Sequence, residues 1–274
     1  MSGNMQPNPG SGERGAIRVG IGGWDYEPWR QTFYPPTVPK TKQLAYAASK
    51  LTAIEINATY YKLQSPDLFA RWADTVPDGF QFAIKASRYC SNRKLLGEGG
   101  EGIERFFGQG LERLGAKLGP ILWQFMATKR FDAQDFGRFL ELLPKEVGGF
   151  PLRHALEVRH ESFRDPAFVA MARGAGAAIV YGDSDSFPCV ADLSGDFAYA
   201  RLQCSRAEEP TGYAPDKLDR WAEVARAWSA GESPPGLPYN ADPPPQRPRD
   251  TYVFMIAGAK ERAPAAAMAL MERL

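Results

Sequence analysis

Strand-like runs recur at residues 17–22, 53–57, 80–86, 120–125, 154–160, 177–183, 197–203 and 251–257 of the 274-residue chain, with helix-like stretches between nearly all of them. The helical stretches lie at 41–50, 65–75, 102–114, 133–143, 165–174 and 215–230, and an Ala/Met/Leu run at 263–274 closes the chain. A chain that leaves one strand must cross back before a parallel neighbour can begin, so this rhythm specifies a parallel sheet covered by helices. Eight repeats are the count of a closed (β/α)8 barrel, the TIM-barrel class, read here as one domain over residues 16–274. A doubly wound open sheet is the alternative, because periodicity does not reveal closure.

Two helix starts are written locally. Ser65-Pro66-Asp67 and Asp165-Pro166 each place a side-chain acceptor before a helix-opening proline. Two segments stand outside the rhythm. Residues 24–36 form a long aromatic loop after the first strand, and residues 231–250 carry seven prolines before the last strand. Because that proline-rich excursion falls between the seventh and eighth strands, it is expected as an exposed connection at the C-terminal face. Residues 1–15 are rich in Gly, Pro, Ser and Asn without an apolar core, and read as a disordered leader rather than a signal peptide.

A formal net charge of +1 gives no bulk reason to expect a polyanion partner. Three cysteines, odd in number and without metal-ligand spacing, suit free thiols in a reducing cytosol, and no apolar run reaches the length of a membrane span. A cytoplasmic protein without a membrane partner is expected.

The strands end alike. Glu55 and Asn57, Glu157 and Arg159, and Arg201 and Gln203 are pairs two residues apart, so each pair shares one face of its strand while Ile54, Ile56, Val158 and Leu202 take the other. Lys85 and Gln124 close the third and fourth strands in the same way. With helices over the apolar face, these polar groups converge in the interior at the C-terminal ends, where burying an unpaired charge against the helices would otherwise cost several kcal/mol in order of magnitude (~3 or more).

Glu157 is the leading acid–base candidate and Glu55 its partner, since unequal environments can push two carboxyl pKa values apart. Lys85, Arg159 and Arg201 can hold a phosphate or carboxylate, the arginines bidentately, with Asn57, Gln124 and Gln203 as further substrate contacts. The competing reading is a permanent ion network that fills the top of the barrel without chemistry. Trp24, Tyr26 and Trp29 of the first loop are expected over the mouth as stacking surfaces, unless they pack as a hydrophobic lid. Cys90, just past the third strand, is a candidate reactive thiol.

Only His154 and His160 exist, at opposite ends of one strand, so a zinc site with several histidines cannot be built. No metal or cofactor is assigned; a magnesium site on Glu55, Glu157 and Asp183 has no motif behind it, and Asp183 reads more simply as a turn cap. No Walker lysine, GxGxxG or GxSxG context is present.

These blocks, in this order, resemble the domain of unknown function 72 family (YecE-like proteins), a TIM-barrel family without an established activity. The resemblance runs from residue 17 to about 230. It rests on Val19-Gly20-Ile21-Gly22-Gly23-Trp24-Asp25-Tyr26 with Trp29 and Phe33-Tyr34-Pro35, on Glu55-Ile56-Asn57 with Thr59-Tyr60-Tyr61, and on Lys85-Ala86-Ser87-Arg88-Tyr89. Leu118-Gly119-Pro120 with Gln124, then Glu157 through Phe163, then Tyr199 with Arg201-Leu202, continue it. The chain departs where the family has a histidine at Gln203, Asn-Asn at Ile256-Ala257, a histidine at Arg262 and a proline pair at Met126-Ala127. It is thereby similar to a divergent branch.

Three functions are compatible with these residues. The first is an enzyme acting by acid–base chemistry on a small polar or anionic molecule. The second is a nucleic-acid-binding barrel gripping phosphates with Arg88, Arg93 and Lys94 and stacking bases on its aromatics. The third is an inactive ligand-binding or scaffold protein, in keeping with the departures at strands seven and eight.

Overall fold

The computed structural model describes residues 14–274, so nearly all of the expected leader, residues 1–13, lies outside the described residues. Eight strands close into a barrel: β1 (Ile17–Gly22), β2 (Ala53–Ile56), β3 (Gln81–Lys85), β4 (Leu118–Gln124), β5 (His154–Glu157), β6 (Ala178–Asp183), β7 (Phe197–Leu202) and β8 (Asp250–Met255). Every neighbouring pair is parallel, and β8 pairs with β1 to complete the ring. This is the (β/α)8 barrel, and closure removes the open-sheet alternative.

The main outer helices are α1 (Gln43–Ala48), α2 (Pro66–Thr75), α3 (Gly100–Phe107), α4 (Ala133–Glu141), α5 (Pro166–Gly174), α6 (Pro215–Ser229) and α7 (Ala263–Met271). Ser65 accepts from the Leu68 N–H to start α2, and Asp165 accepts from the Ala167 N–H to start α5, as the Ser-Pro and Asp-Pro steps specify. The stretch expected as one helix over 102–114 instead breaks after Phe107. Gly110 sits there at φ 99°, and a Cβ on it would come within 2.7 Å of Pro66. Only glycine fits that turn.

Strand alternation sorts the interior cleanly. Ala53, Ala83, Ala155 and Ala178 point inward from β2, β3, β5 and β6, and Phe197, Tyr199, Tyr252 and Phe254 fill the space from β7 and β8. Small side chains on one wall make room for aromatics from the other, giving a packed core rather than a pore. Gly20 belongs to this fit, because a Cβ there would lie 2.0 Å from the Ala53 carbonyl oxygen and 3.1 Å from the Phe254 ring. Below, at the N-terminal end, Arg18 and Arg153 both reach Asp250, at 3.3 and 2.8 Å.

One unit lacks its helix. β6 runs into residues 184–196 without a helix before β7, and the proline-rich segment covers that gap. Pro238 O accepts from the Ala191 N–H at 2.9 Å, and Asp192 accepts from the N–H groups of Asn240 and Ala241 at 2.9 and 3.0 Å. Arg249 then donates to Gly195 O at 3.1 Å, just before β7 begins. The segment therefore lies along the outside of the barrel and ends at the N-terminal face. The expectation of a C-terminal connection overlooked that it follows α6, which has already carried the chain back to the strands' starting ends.

Candidate functional site: an ion frame with one free amine

Inward parity at the C-terminal ends brings Glu55 of β2, Lys85 of β3, Gln124 of β4, Glu157 of β5 and Arg201 of β7 to one layer. Arg201 is its centre. Its Nε donates to Glu55 Oε2 and its Nη2 to Glu55 Oε1, both at 3.0 Å, while Nη1 donates to Glu157 Oε2 at 2.6 Å. Gln124 Nε2 adds a bond to the same Glu157 oxygen at 2.8 Å, and Arg159 donates to Glu157 Oε1 through Nε and Nη2 at 3.0 and 2.8 Å. β5 ends at Glu157, two residues short of Arg159, which folds back over the carboxylate from the following loop.

Sequence reasoning missed Tyr199 as a member. Its hydroxyl donates to Glu55 Oε2 at 2.8 Å, and its position two residues before Arg201 on the same strand face was the available signal. Tyr60, in the turn after β2, has its ring centre 4.1 Å from Lys85 Nζ.

The electrostatics separate the charges. Burial opposes ionisation of Glu157, but Arg201, then Arg159, then the Gln124 hydrogen bond outweigh it and hold the carboxyl at about 2. Burial likewise opposes the charge on Arg201, and Glu157 with Glu55 overcome it, pushing its pKa above the usual arginine value. Burial drives the Tyr199 hydroxyl well above 10, with Glu55 reinforcing it, so it stays a donor. Lys85 goes the other way. Burial, followed by the Arg201 charge, brings its ammonium down to about 8, with Glu55 and Glu157 offsetting part of the effect.

Of the three cations, Lys85 alone has no carboxylate within 4.0 Å among the described residues. Its Nζ makes no hydrogen bond among the described residues, yet it is not sealed from solvent. Arg159 is a fifth exposed, spends Nε and Nη2 on Glu157, and lies 4.5 Å above the Phe187 ring. Three cations against two carboxylates leave the frame with one excess positive charge.

The remaining candidates are placed differently. Asn57 follows β2 and its amide donates only to the Glu55 carbonyl, at 3.4 Å. Gln203 lies beyond the end of β7 against Gly182. Trp24 packs edge-on to Trp72 of α2 at 5.2 Å and against Phe82, which faces the helices, so it lies in the outer layer. Trp29 is fully buried and donates to Lys260 O at 2.8 Å, with Tyr26 against it and Lys260 Nζ 4.4 Å from the Tyr26 ring. Tyr26 and Trp29 staple the first loop to the turn after β8, and Trp24 ties it to α2, rather than lining the ion frame. Their size favours burial against neighbouring loops over exposure above a polar mouth.

Asp183 is on the opposite strand face from Val180 and shares a cavity of about 430 Å³ with Tyr181, Cys204, Tyr213 and Lys217. The magnesium set Glu55–Glu157–Asp183 is therefore not assembled, and among the described residues no group of three or more His, Cys, Asp or Glu is placed to hold a metal ion. Cys90 is buried, which pushes its thiol up to about 12 and removes it as a reactive group. His154 faces the helices, where Nδ1 accepts from Trp123 Nε1 at 3.0 Å and Nε2 lies 2.8 Å from Pro144 O. His160 caps the turn at Ser162.

Around the rim, two cavities of about 460 and 530 Å³ meet at Tyr89 and Arg93. They lie after β3 and take in Lys62, Arg88, Lys94 and Arg105. Tyr61 and Tyr89 stand exposed there, 64% each.

Fold and site together define a (β/α)8 barrel whose C-terminal mouth holds a buried carboxylate–guanidinium frame. Residues 18–274 match the family described as protein of unknown function DUF72, and the chain belongs to that family. The match extends past residue 230, through the strand and helix where the sequence departs. UPF0759 protein YunF of Bacillus subtilis is similar at 26% identity over 159 residues, an alignment covering 56% of this chain and 54% of the relative. The crystal structure of a DUF72 family protein from Thermotoga maritima superposes with a TM-score of 0.68 at 22% identity, covering 93% of this chain and 97% of that one. A DUF72 family protein from Enterococcus faecalis gives 0.65 at 16% identity, covering 96% and 99%. These two carry the fold. No helix among the described residues is long and apolar enough to cross a membrane.

Proposed function

We propose that the barrel is an enzyme that performs acid–base chemistry on a small anionic molecule at the C-terminal mouth. The observation that carries this reading is Lys85, an amine held over Tyr60 without an ion-pair partner among the described residues, beside a frame that is one positive charge in excess. Glu157 and Glu55 keep a place in the site as the fixed anions that orient Arg201 and Arg159. With its carboxyl held at about 2 and both oxygens occupied, Glu157 is a weak base and no acid at neutral pH. The proton-transfer role passes to Lys85, whose pKa of about 8 lies near the working range of a cytosolic enzyme. Arg159, with Nη1 uncommitted, is the group that meets the substrate's anion.

Thermal-shift measurements with a panel of small phosphorylated and carboxylated compounds, followed by proton NMR in D2O, test this. At least one compound should raise the melting temperature and exchange a carbon-bound proton, and Lys85→Met should abolish the exchange. If nothing in the panel binds or exchanges above a protein-free control, the reading falls.

A second reading rests on the rim. Lys62, Arg88, Arg93, Lys94 and Arg105 with exposed Tyr61 and Tyr89 offer charges for phosphates and faces for bases. Fluorescence anisotropy with labelled oligothymidine tests it. Binding that weakens with salt and is lost in Arg88→Ala/Arg93→Ala supports a nucleic-acid partner, and a flat titration at low salt removes it.

A further inference from the structure

We infer that Lys85 forms a covalent imine with the carbonyl carbon of an anionic substrate. This rests on the reading of the mouth as an anion-binding acid–base site and names the substrate class: small carbonyl compounds that carry a carboxylate or phosphate.

The geometry favours nucleophilic over purely electrostatic use of this lysine. A lysine meant only as a counter-charge sits within reach of a carboxylate, as Arg201 does at both Glu55 and Glu157. Lys85 has none, although two carboxylates lie in the same layer, because Arg201, Arg159, Gln124 and Tyr199 have taken up their oxygens. Its backbone is anchored by the Thr59 hydroxyl, which donates to Lys85 O at 2.7 Å, and the Tyr60 ring supports the amine from one side. The Nζ is thus positioned, with the Tyr60 ring on one face and a narrow contact with solvent left to a side chain that is 7% exposed. Burial brings its pKa to about 8, so roughly a tenth of the amine is neutral at pH 7. The excess charge left by the frame, with the free Nη1 of Arg159, supplies the anion contact.

The step balances without any further reagent. The amine lone pair forms the C–N bond while the carbonyl π pair moves to oxygen. A proton passes from nitrogen to that oxygen, giving the carbinolamine. The nitrogen lone pair then expels the hydroxyl, which takes one proton from solvent and leaves as water. The product is the protonated imine on Lys85.

Borohydride trapping tests this on the full chain. The protein is incubated with pyruvate, glyoxylate or dihydroxyacetone phosphate, reduced, digested and analysed by mass spectrometry. For at least one probe, the peptide containing Lys85 should carry the reduced adduct at least ~10-fold above any other lysine peptide, as selective activation of one amine requires. Labelling should rise with pH toward 8, disappear in Lys85→Met, and need more probe in Arg159→Met. No adduct at Lys85 with all three probes, or equal labelling of surface lysines, overturns the inference. If the probes still raise the melting temperature, the anion site survives without the imine; if they do neither, both readings fail together.

Discussion

Arg201 on β7 grips Glu55 on β2 through two parallel hydrogen bonds of 3.0 Å, bridging β8 and β1, which lie between them in the ring. The remaining guanidinium nitrogen reaches Glu157 at 2.6 Å, so one side chain ties together strands that are not neighbours. Both partners are almost completely buried. A buried pair is weak as a source of stability but costly to break, because the survivor keeps a charge that cannot be hydrated.

Arg201→Met should therefore destabilise the fold by about 3–5 kcal/mol, since it strands two carboxylates in the interior. Arg201→Lys should recover little, because an ammonium cannot reproduce the planar fork. Urea denaturation of both variants measures this. A loss below ~1 kcal/mol in Arg201→Met would mean that water reaches the frame and that the layer is not the sealed ion network described.

Acid should expose the same frame from the other side. The folded-state pKa of Glu157 is depressed from 4.5 to about 2, so its contribution is complete above 4.5 and is lost as pH falls through the window down to 2. Asp250, whose carboxyl burial would raise but Arg153 and the Ala16 N–H pull down further, acts in the same direction. Glu157→Gln should be less stable than the natural chain at pH 7, and the gap should close between pH 4.5 and 2. A constant gap across that window would show that Glu157 does not ionise differently in the folded chain.

The barrel was legible because its signals are local and repeated: the strand–helix rhythm gives the count, and parity alone brought Glu55, Lys85, Gln124, Glu157 and Arg201 to one face. What parity cannot show is pairing. Nothing in the order of residues said that Arg201 would take both carboxylates and leave Lys85 alone, and that outcome decides which group is chemically free. The aromatic loop was left undecided for a related reason. Trp24 and Trp29 were expected over the mouth as stacking surfaces or as a packed lid, and only Trp72 and Lys260, distant in sequence, decide for packing. Asp183 lay one parity step from the site, on the helix side of β6.

Lys85 should cost the fold what it offers the chemistry. Its folded pKa is lowered from 10.5 to about 8, so the penalty of burying its charge is fully present below 8 and is relieved as pH rises toward 10.5. Lys85→Met should be more stable than the natural chain at pH 7, by on the order of 1–3 kcal/mol, and the advantage should shrink toward pH 10.5. Chemical denaturation at pH 7 and at pH 10 measures both points. A Lys85→Met variant that is less stable at pH 7 would mark the amine as a structural ion-pair partner and remove the reason to assign it chemistry.

The proline-rich segment should come loose without disturbing the mouth. Asp192 alone receives the N–H groups of Asn240 and Ala241 and, at 3.3 Å, the Asn240 amide, where the barrel lacks the helix between β6 and β7. Removing that carboxylate leaves two backbone donors of the segment without their acceptor, at about 1–3 kcal/mol of local cost, while the remaining contacts at Pro238 and Arg249 keep both ends in place. Asp192→Ala should therefore raise amide exchange and protease cleavage within residues 236–246 and leave global unfolding nearly unchanged. Whatever ligand response the natural chain shows should persist, since Lys85, Glu157 and Arg201 lie inside the barrel and the segment runs along its outside. Limited proteolysis with mass mapping reads the first effect and thermal unfolding the second. Cleavage confined to the loops after β3 or β8 instead would show that the segment is held by something other than Asp192, and its place along the outside of the barrel would need another explanation.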